Sequence, residues 1–255
     1  MPSAIRKDHE LSGEGLVTIL MERQGADERT LEAFLLQRFP DNEARACVSG
    51  SVPLPSFRGI PHAALIGVDG RLLWDGSPLG ESQKVEDLIG RELAKVRKGF
   101  GDSPEVQKAR SLLYGRGDLS GARSIAASMP EGPERERIEA EIRRSFEWRK
   151  NAVEHFRKEG LWTRAQQVAA ELRRAAAGSQ DWDPEIQAIA SSFETDEARA
   201  QIAASKRLER VEKMIRARKK DLAARALKGF VKSAEGTAAG ARASRLLAAL
   251  AVSVR

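Results

Sequence analysis

The sequence predicts an α/β part followed by an all-helical array, and three observations carry that division. Six of the ten prolines, and every stretch with strand character, precede residue 100. After Pro133 only Pro184 interrupts the chain, which is what long helices require. The charge divides at the same place: residues 1–100 carry 13 Lys+Arg against 15 Asp+Glu, whereas residues 101–255 carry 30 against 22, within a total of +6. A chain of 255 residues has room for two domains. The boundary is placed in Arg97-Lys-Gly-Phe-Gly-Asp-Ser-Pro104, where two glycines, a cap-type serine and a proline announce a new helix. The expected domains are 1–98 and 99–255.

Within the first part, Leu16 to Met21 is a short, continuous apolar run rich in β-branched residues, which predicts a strand buried on both faces. Asp27 is placed to cap a helix that sets Leu31, Phe34, Leu35 and Phe39 on one side and stops at Pro40. After a proline-rich loop, His62 to Val68 and Arg71 to Trp74 flank Asp69-Gly70, the strongest short hairpin signal a sequence offers. Val85, Leu88, Ile89, Leu93 and Val96 then mark a closing helix. In the second part helices are expected at about 104–115, 119–128, 133–159, 162–177, 184–192, 196–219, 221–233 and 237–252. The breaks at 115–122, 158–165 and 218–225 share a plan: a polar turn, a large apolar residue, then a small one that lets antiparallel helices approach. Their spacing has no fixed period, so the array is irregular and resembles tetratricopeptide-type helical hairpins without their consensus. Its contacts are local, so the helical part is expected to fold alone.

The segment Gly59-Ile-Pro-His-Ala-Ala-Leu-Ile-Gly-Val-Asp-Gly-Arg-Leu-Leu-Trp-Asp-Gly-Ser-Pro78 resembles the C-terminal half of a thioredoxin-fold domain of the TlpA-like and redoxin group. Gly15-Leu-Val-Thr-Ile-Leu resembles that family's second core strand and Glu28 to Phe39 its following helix, so the likeness covers residues 1 to about 97. It implies thiol–disulfide exchange, with an extracytoplasmic setting only if the true start lies upstream of Met1. It departs from the family where the chemistry lies: the first core strand and the Cys-x-x-Cys pair have no counterpart, and Met1 to Leu11 resembles only the remainder of the active-site helix. The expectation is a partial domain, redox-inactive as written, either because the start lies upstream of Met1 or because the domain is degenerate. The alternative is a non-enzymatic interaction protein built on the helical hairpins.

The resemblance makes Ile60, Pro61 and His62 the substrate-groove candidates, with the Ile60–Pro61 bond cis; without it, Pro61 reads as an ordinary trans proline at a strand edge. No catalytic residue is assigned. Cys47, the single cysteine, excludes an internal disulfide and any CxxC motif, and reads as a small buried hydrophobe. His9, His62 and His155 have no metal-ligand spacing, so neither metal nor cofactor is expected. His9 and His155 read as solvated, and Trp148, Trp162 and Trp182 as anchors between helices. Between Lys206 and Lys232 eleven basic residues face three acidic ones, with Glu209–Lys213 and Glu212–Arg216 at pairing distance along a helix. Only Phe230 supplies a ring there, so a protein partner, or one bearing a disulfide, is preferred over nucleic acid or an anionic membrane surface. No apolar run approaches the roughly 18 residues of a membrane span, and Met1 to Asp8 lacks a secretory signal.

Overall fold

The computed structural model describes residues 7–8, 10–11, 14–22, 25–40, 45–48 and 61–252. Among the described residues the fold is mostly helical, with ten helices. In chain order the elements are β1 (Ile19–Glu22), α1 (Glu28–Arg38), β2 (Arg45–Val48), β3 (Ala63–Ile66), β4 (Leu72–Gly76), α2 (Ser82–Lys98) and α3 (Pro104–Arg110). There follow α4 (Leu119–Ser128), α5 (Pro133–Lys158), α6 (Trp162–Ala175), α7 (Asp183–Ser191), α8 (Asp196–Arg216), α9 (Lys220–Ser233) and α10 (Ala238–Ala251). A π-helical turn, Ser111–Arg116, continues α3. The helices beyond residue 104 end within about a turn of their expected limits, because caps dictate them: Ser103, Asp118, Thr195 and Thr237 each accept a backbone N–H from the first turn. No helix among the described residues is long and apolar enough to cross a membrane.

The chain forms two compact units. One holds described residues within 1–18 and 49–144, the other those within 19–48 and 145–255. This partition does not coincide with a division at 98/99. The reason is α1, whose Ala33 and Leu36 join the core made by Leu208, Val211, Ile215, Leu227 and Leu246 of α8, α9 and α10. The strands are divided accordingly. β1 pairs with β2 in parallel, Ile19 opposite Arg45, and β3 pairs with β4 antiparallel, Ala63 opposite Gly76. Among the described residues these are separate two-stranded sheets.

In the first unit the Asp69-Gly70 turn forms as expected: the Asp69 carboxylate accepts from Arg71 N at 3.0 Å, and Glu92 of α2 accepts from Val68 N at 3.0 Å. Trp74, Leu93 and Val96 are buried. Gly99 lets α2 and α3 meet: at its φ of 86° an added Cβ would lie 1.7 Å from the Gln107 carbonyl oxygen, which excludes every other residue. Beyond it, the Arg110 guanidinium meets the Glu141 carboxylate with both ends, Nε–Oε2 2.9 Å and Nη2–Oε1 2.6 Å, and donates to the Phe100 carbonyl at 3.1 Å. It also covers the Phe100 ring, on which Tyr114 stacks with centroids 5.9 Å apart. The Tyr114 hydroxyl donates to Glu141 at 3.3 Å. Burial, and then the neighbouring Glu141 charge and hydrogen bond, push its pKa up to about 12.

In the second unit α1 is locked by polar contacts. Gln37 Nε2 donates to the carbonyls of Ala249 (2.6 Å) and Val252 (2.9 Å) at the end of α10, while its Oε1 accepts from Lys220 Nζ at 2.9 Å. Arg242, 1 % exposed, donates through Nε to Glu212 at 2.8 Å and through Nη2 to the Pro40 carbonyl. Gly160, with φ of 75°, sits where a Cβ would be 2.5 Å from the Ala238 carbonyl oxygen, so the α5–α6 turn can touch the start of α10. The small residues expected at the helical breaks, Ala122, Ala165 and Ala223, are each 0 % exposed.

Several expectations are corrected. The buried side of α1 is Ala33, Leu36 and Gln37, and Leu31, Phe34, Leu35 and Phe39 on the other side are only half-buried, because the close approach to α10 needs a small residue and the capping amide. β1 is not buried on both faces: Val17, Ile19 and Met21 are 59, 61 and 40 % exposed. The helical unit is not built from residues beyond 98 alone, since α1 supplies part of its core. Trp148 is exposed rather than an anchor between helices.

Two measurements follow. Arg242→Met removes the Arg242 charge from the buried Glu212 carboxylate, and denaturant unfolding of the helical signal should show a loss of about 3–5 kcal/mol. Most of that loss should be recovered in Arg242→Met/Glu212→Leu. Tyr114 is the single tyrosine, so the near-ultraviolet absorbance of tyrosinate reports it alone. Its titration should centre near about 12, and because the neutral form is favoured in the folded state, stability is full below pH 10 and falls as pH rises through about 12.

Candidate functional site

The groove candidates begin with Ile60, which lies outside the described residues, so the geometry of its bond to Pro61 is not part of the description. Pro61 is exposed. His62 turns inward: its side chain is 6 % exposed and its Nε2 lies 2.5 Å from the Asp75 Oδ1, itself on a side chain 10 % exposed. The hairpin register explains the pairing. With Ala63 opposite Gly76, His62 stands opposite Ser77, and Asp75 is its diagonal neighbour two residues away on the same face. Asp75 was not singled out from the sequence, although the register counted back from Asp69-Gly70 contains it. The pair fixes the chain where it enters β3. A general base would need a ring nitrogen open to a substrate, and this imidazole is closed in. Nearby, the Trp74 indole donates to Glu81 at 2.9 Å; that bond, followed by Lys84, holds the Glu81 carboxyl below its ordinary range.

Cys47 lies on β2 opposite Met21. It is the only thiol, so the chain itself cannot form the dithiol that disulfide exchange cycles through. Among the described residues no group of three His, Cys, Asp or Glu side chains could hold a metal ion. His155 is exposed on α5, and His9 lies outside the described residues.

A second constellation lies in the helical unit, where the end of α5, the start of α6 and the α7–α8 turn converge. The Arg157 guanidinium stands 4.2 Å from the Phe193 ring centroid and 5.4 Å from that of Trp162. The two rings meet edge to face, 6.1 Å apart at 82°. Arg157 also pairs with Glu154 at 2.9 Å and donates to the Ser192 hydroxyl. Beside this box runs an open groove of about 350 Å³, lined by Gln166, Phe193, Glu194, Arg199, Ile202 and Lys206. Trp162 Nε1, Thr163 Oγ1 and Gln201 Oε1 are buried atoms without a hydrogen-bond partner among the described residues. An apolar wall of Phe193 and Ile202 with both signs of charge at its rim has the chemistry to hold a peptide segment. Trp162 was visible in the sequence as an anchor; Phe193 and Arg157 were not, because no spacing connects three residues drawn from three elements. Trp182, the other anchor that holds, stacks on Phe146 with centroids 4.5 Å apart.

No protein-family model, no curated protein and no solved structure matches this chain.

His62→Ala leaves the buried Asp75 carboxylate without that partner. The hairpin should lose about 1–3 kcal/mol, read as faster hydrogen exchange at the Ala64 and Leu65 amides while those of α9 and α10 are unchanged.

Proposed function

We propose that this chain is a non-enzymatic interaction module whose helical hairpins hold a segment of a partner protein. The observation that carries the reading is the Arg157–Trp162–Phe193 box with the groove beside it. Large aromatic and arginine side chains at a groove are the residue types that dominate binding energy in protein interfaces. The groove is shallow and has no convergent set of acids, bases or metal ligands, which suits recognition rather than turnover.

A second reading has its own support. The order parallel β1–α1–β2, then Pro61, then antiparallel β3–β4, then α2 fits a thioredoxin-like α/β segment of the TlpA-like and redoxin group. In that reading Ile60, Pro61 and His62 border a groove for a disulfide-bearing protein, and the chain is redox-inactive as it stands. Its lone thiolate can attack a disulfide to give a mixed disulfide, releasing one thiolate, but no second thiol of the chain is there to resolve it.

Two experiments test these readings. Selection from a displayed peptide library should yield binders whose affinity falls at least roughly tenfold with Phe193→Ala. Affinities unmoved by Phe193→Ala and Arg157→Ala would remove the groove from the function. Catalytic turnover of a model disulfide should stay at background; turnover that survives Cys47→Ser would refute redox inactivity, because no other thiol exists.

A further inference from the structure

We propose that the exposed faces of α8 and α9, with the turn at Arg218–Leu222 between them, form a docking surface for an anionic lipid bilayer. The placement of the cations comes first. On α8, Lys206, Arg210 and Lys213 follow one another at i, i+4 and i+7, on the side away from the buried Leu208, Val211 and Ile215. On α9, Arg225, Lys228 and Lys232 follow at i, i+3 and i+7, opposite the buried Ala223, Leu227 and Phe230. The turn adds Arg218 and Lys219, both exposed, and α9 opens with Lys220, whose Nζ also donates to Gln37.

These charges are not neutralised from within. On α5, by contrast, cations pair along the same helix, as in Arg135–Glu139, Lys150–Glu147 and Arg157–Glu154. Between 206 and 232, apart from Arg216, no basic side chain forms an ion pair among the described residues. The expected Glu209–Lys213 pair does not form, Asp221 is likewise unpaired, and Glu212 is turned inward to Arg242. Same-sign charges left together repel one another and favour an anionic counter-surface.

The choice of surface rests on Leu222. It is 50 % exposed at the start of α9, within four residues of Arg218, Lys219, Lys220 and Arg225. An apolar side chain ringed by cations matches the boundary between headgroups and acyl chains. A phosphodiester backbone offers Leu222 nothing, and the one ring of the stretch, Phe230, is buried and closed to base stacking.

The full-length chain should co-sediment with vesicles of equimolar phosphatidylcholine and phosphatidylserine, and not with phosphatidylcholine alone, in a manner weakened by salt. Each cation near such a surface contributes roughly fivefold in partition, so Arg210→Glu/Lys213→Glu/Lys228→Glu should abolish measurable binding. Lys108→Glu, on α3 of the other unit, should leave it intact. Leu222→Ser should weaken binding roughly fivefold at unchanged charge. Circular dichroism of each variant establishes that the helices persist. The proposal is overturned by equal binding to neutral vesicles, by binding that survives the triple reversal, or by no binding at all. It is also overturned if Leu222→Ser is without effect while duplex DNA displaces the chain from vesicles, which would assign the surface to nucleic acid.

Discussion

The buried Arg242–Glu212 pair is the contact on which the helical unit depends. Two opposite charges at 1 and 2 % exposure are expensive to remove from water, and they are tolerated only because each finds hydrogen bonds as well as a counter-charge. Arg242 spends its remaining donors on the Pro40 carbonyl and on the approach to Glu159, 3.8 Å away, which in turn pairs with Arg245. One guanidinium therefore joins α8, α10, the α5–α6 turn and the end of α1. Gln37 works beside it, covering the carbonyls that α10 leaves open at its C-terminus. Together they explain why a helix from the first forty residues belongs to the C-terminal core, and why β1 and β2, which flank it in sequence, belong to the same unit.

That assignment has a cost in exposed apolar surface. Leu31, Phe34, Leu35 and Phe39 of α1 are left half-covered, and Ile19 and Met21 of β1 are exposed. The hairpin has a similar face, with Ile66 and Leu72, paired across the strands, both exposed. The helical elements differ: their apolar stripes are buried, and their surfaces carry charge. The groove at Trp162 and Phe193 and the basic faces of α8 and α9 are thus features of a well-packed scaffold, which can hold side chains in place for recognition.

The interactions within the hairpin unit are of another kind. Arg110–Glu141 in the helices, an ion pair, and His62–Asp75 in the hairpin, a hydrogen-bonded pair, are both of low exposure. They close the ends of elements: the first where α2 hands over to α3 through Gly99, the second where the chain enters β3. Buried titratable groups at such joints serve geometry, which is why the functional reading rests on a groove and not on a reactive side chain.

The sequence by itself determined the helices beyond residue 104, the Asp69-Gly70 hairpin, the Asp27 cap and the small residues at the helical breaks. Each is a local preference, expressed through a cap, a turn or a period within a few residues, so no distant partner is needed to decide it. Only the tertiary structure decided which face of α1 is buried, that the parallel and antiparallel strand pairs form separate sheets, that His62 meets Asp75, and that Glu212 turns inward to Arg242. Arg157 with Phe193 lies between the two cases: each sits on a foreseeable element, but their meeting across 36 positions is set by how α5 packs beside the α7–α8 turn. Periodicity says that a helix has an apolar side; competition among several such sides for one small, polar-capped space says which is used. On α1 the narrower side, Ala33, Leu36 and Gln37, won over the larger one because close approach and satisfied carbonyls outweighed apolar area.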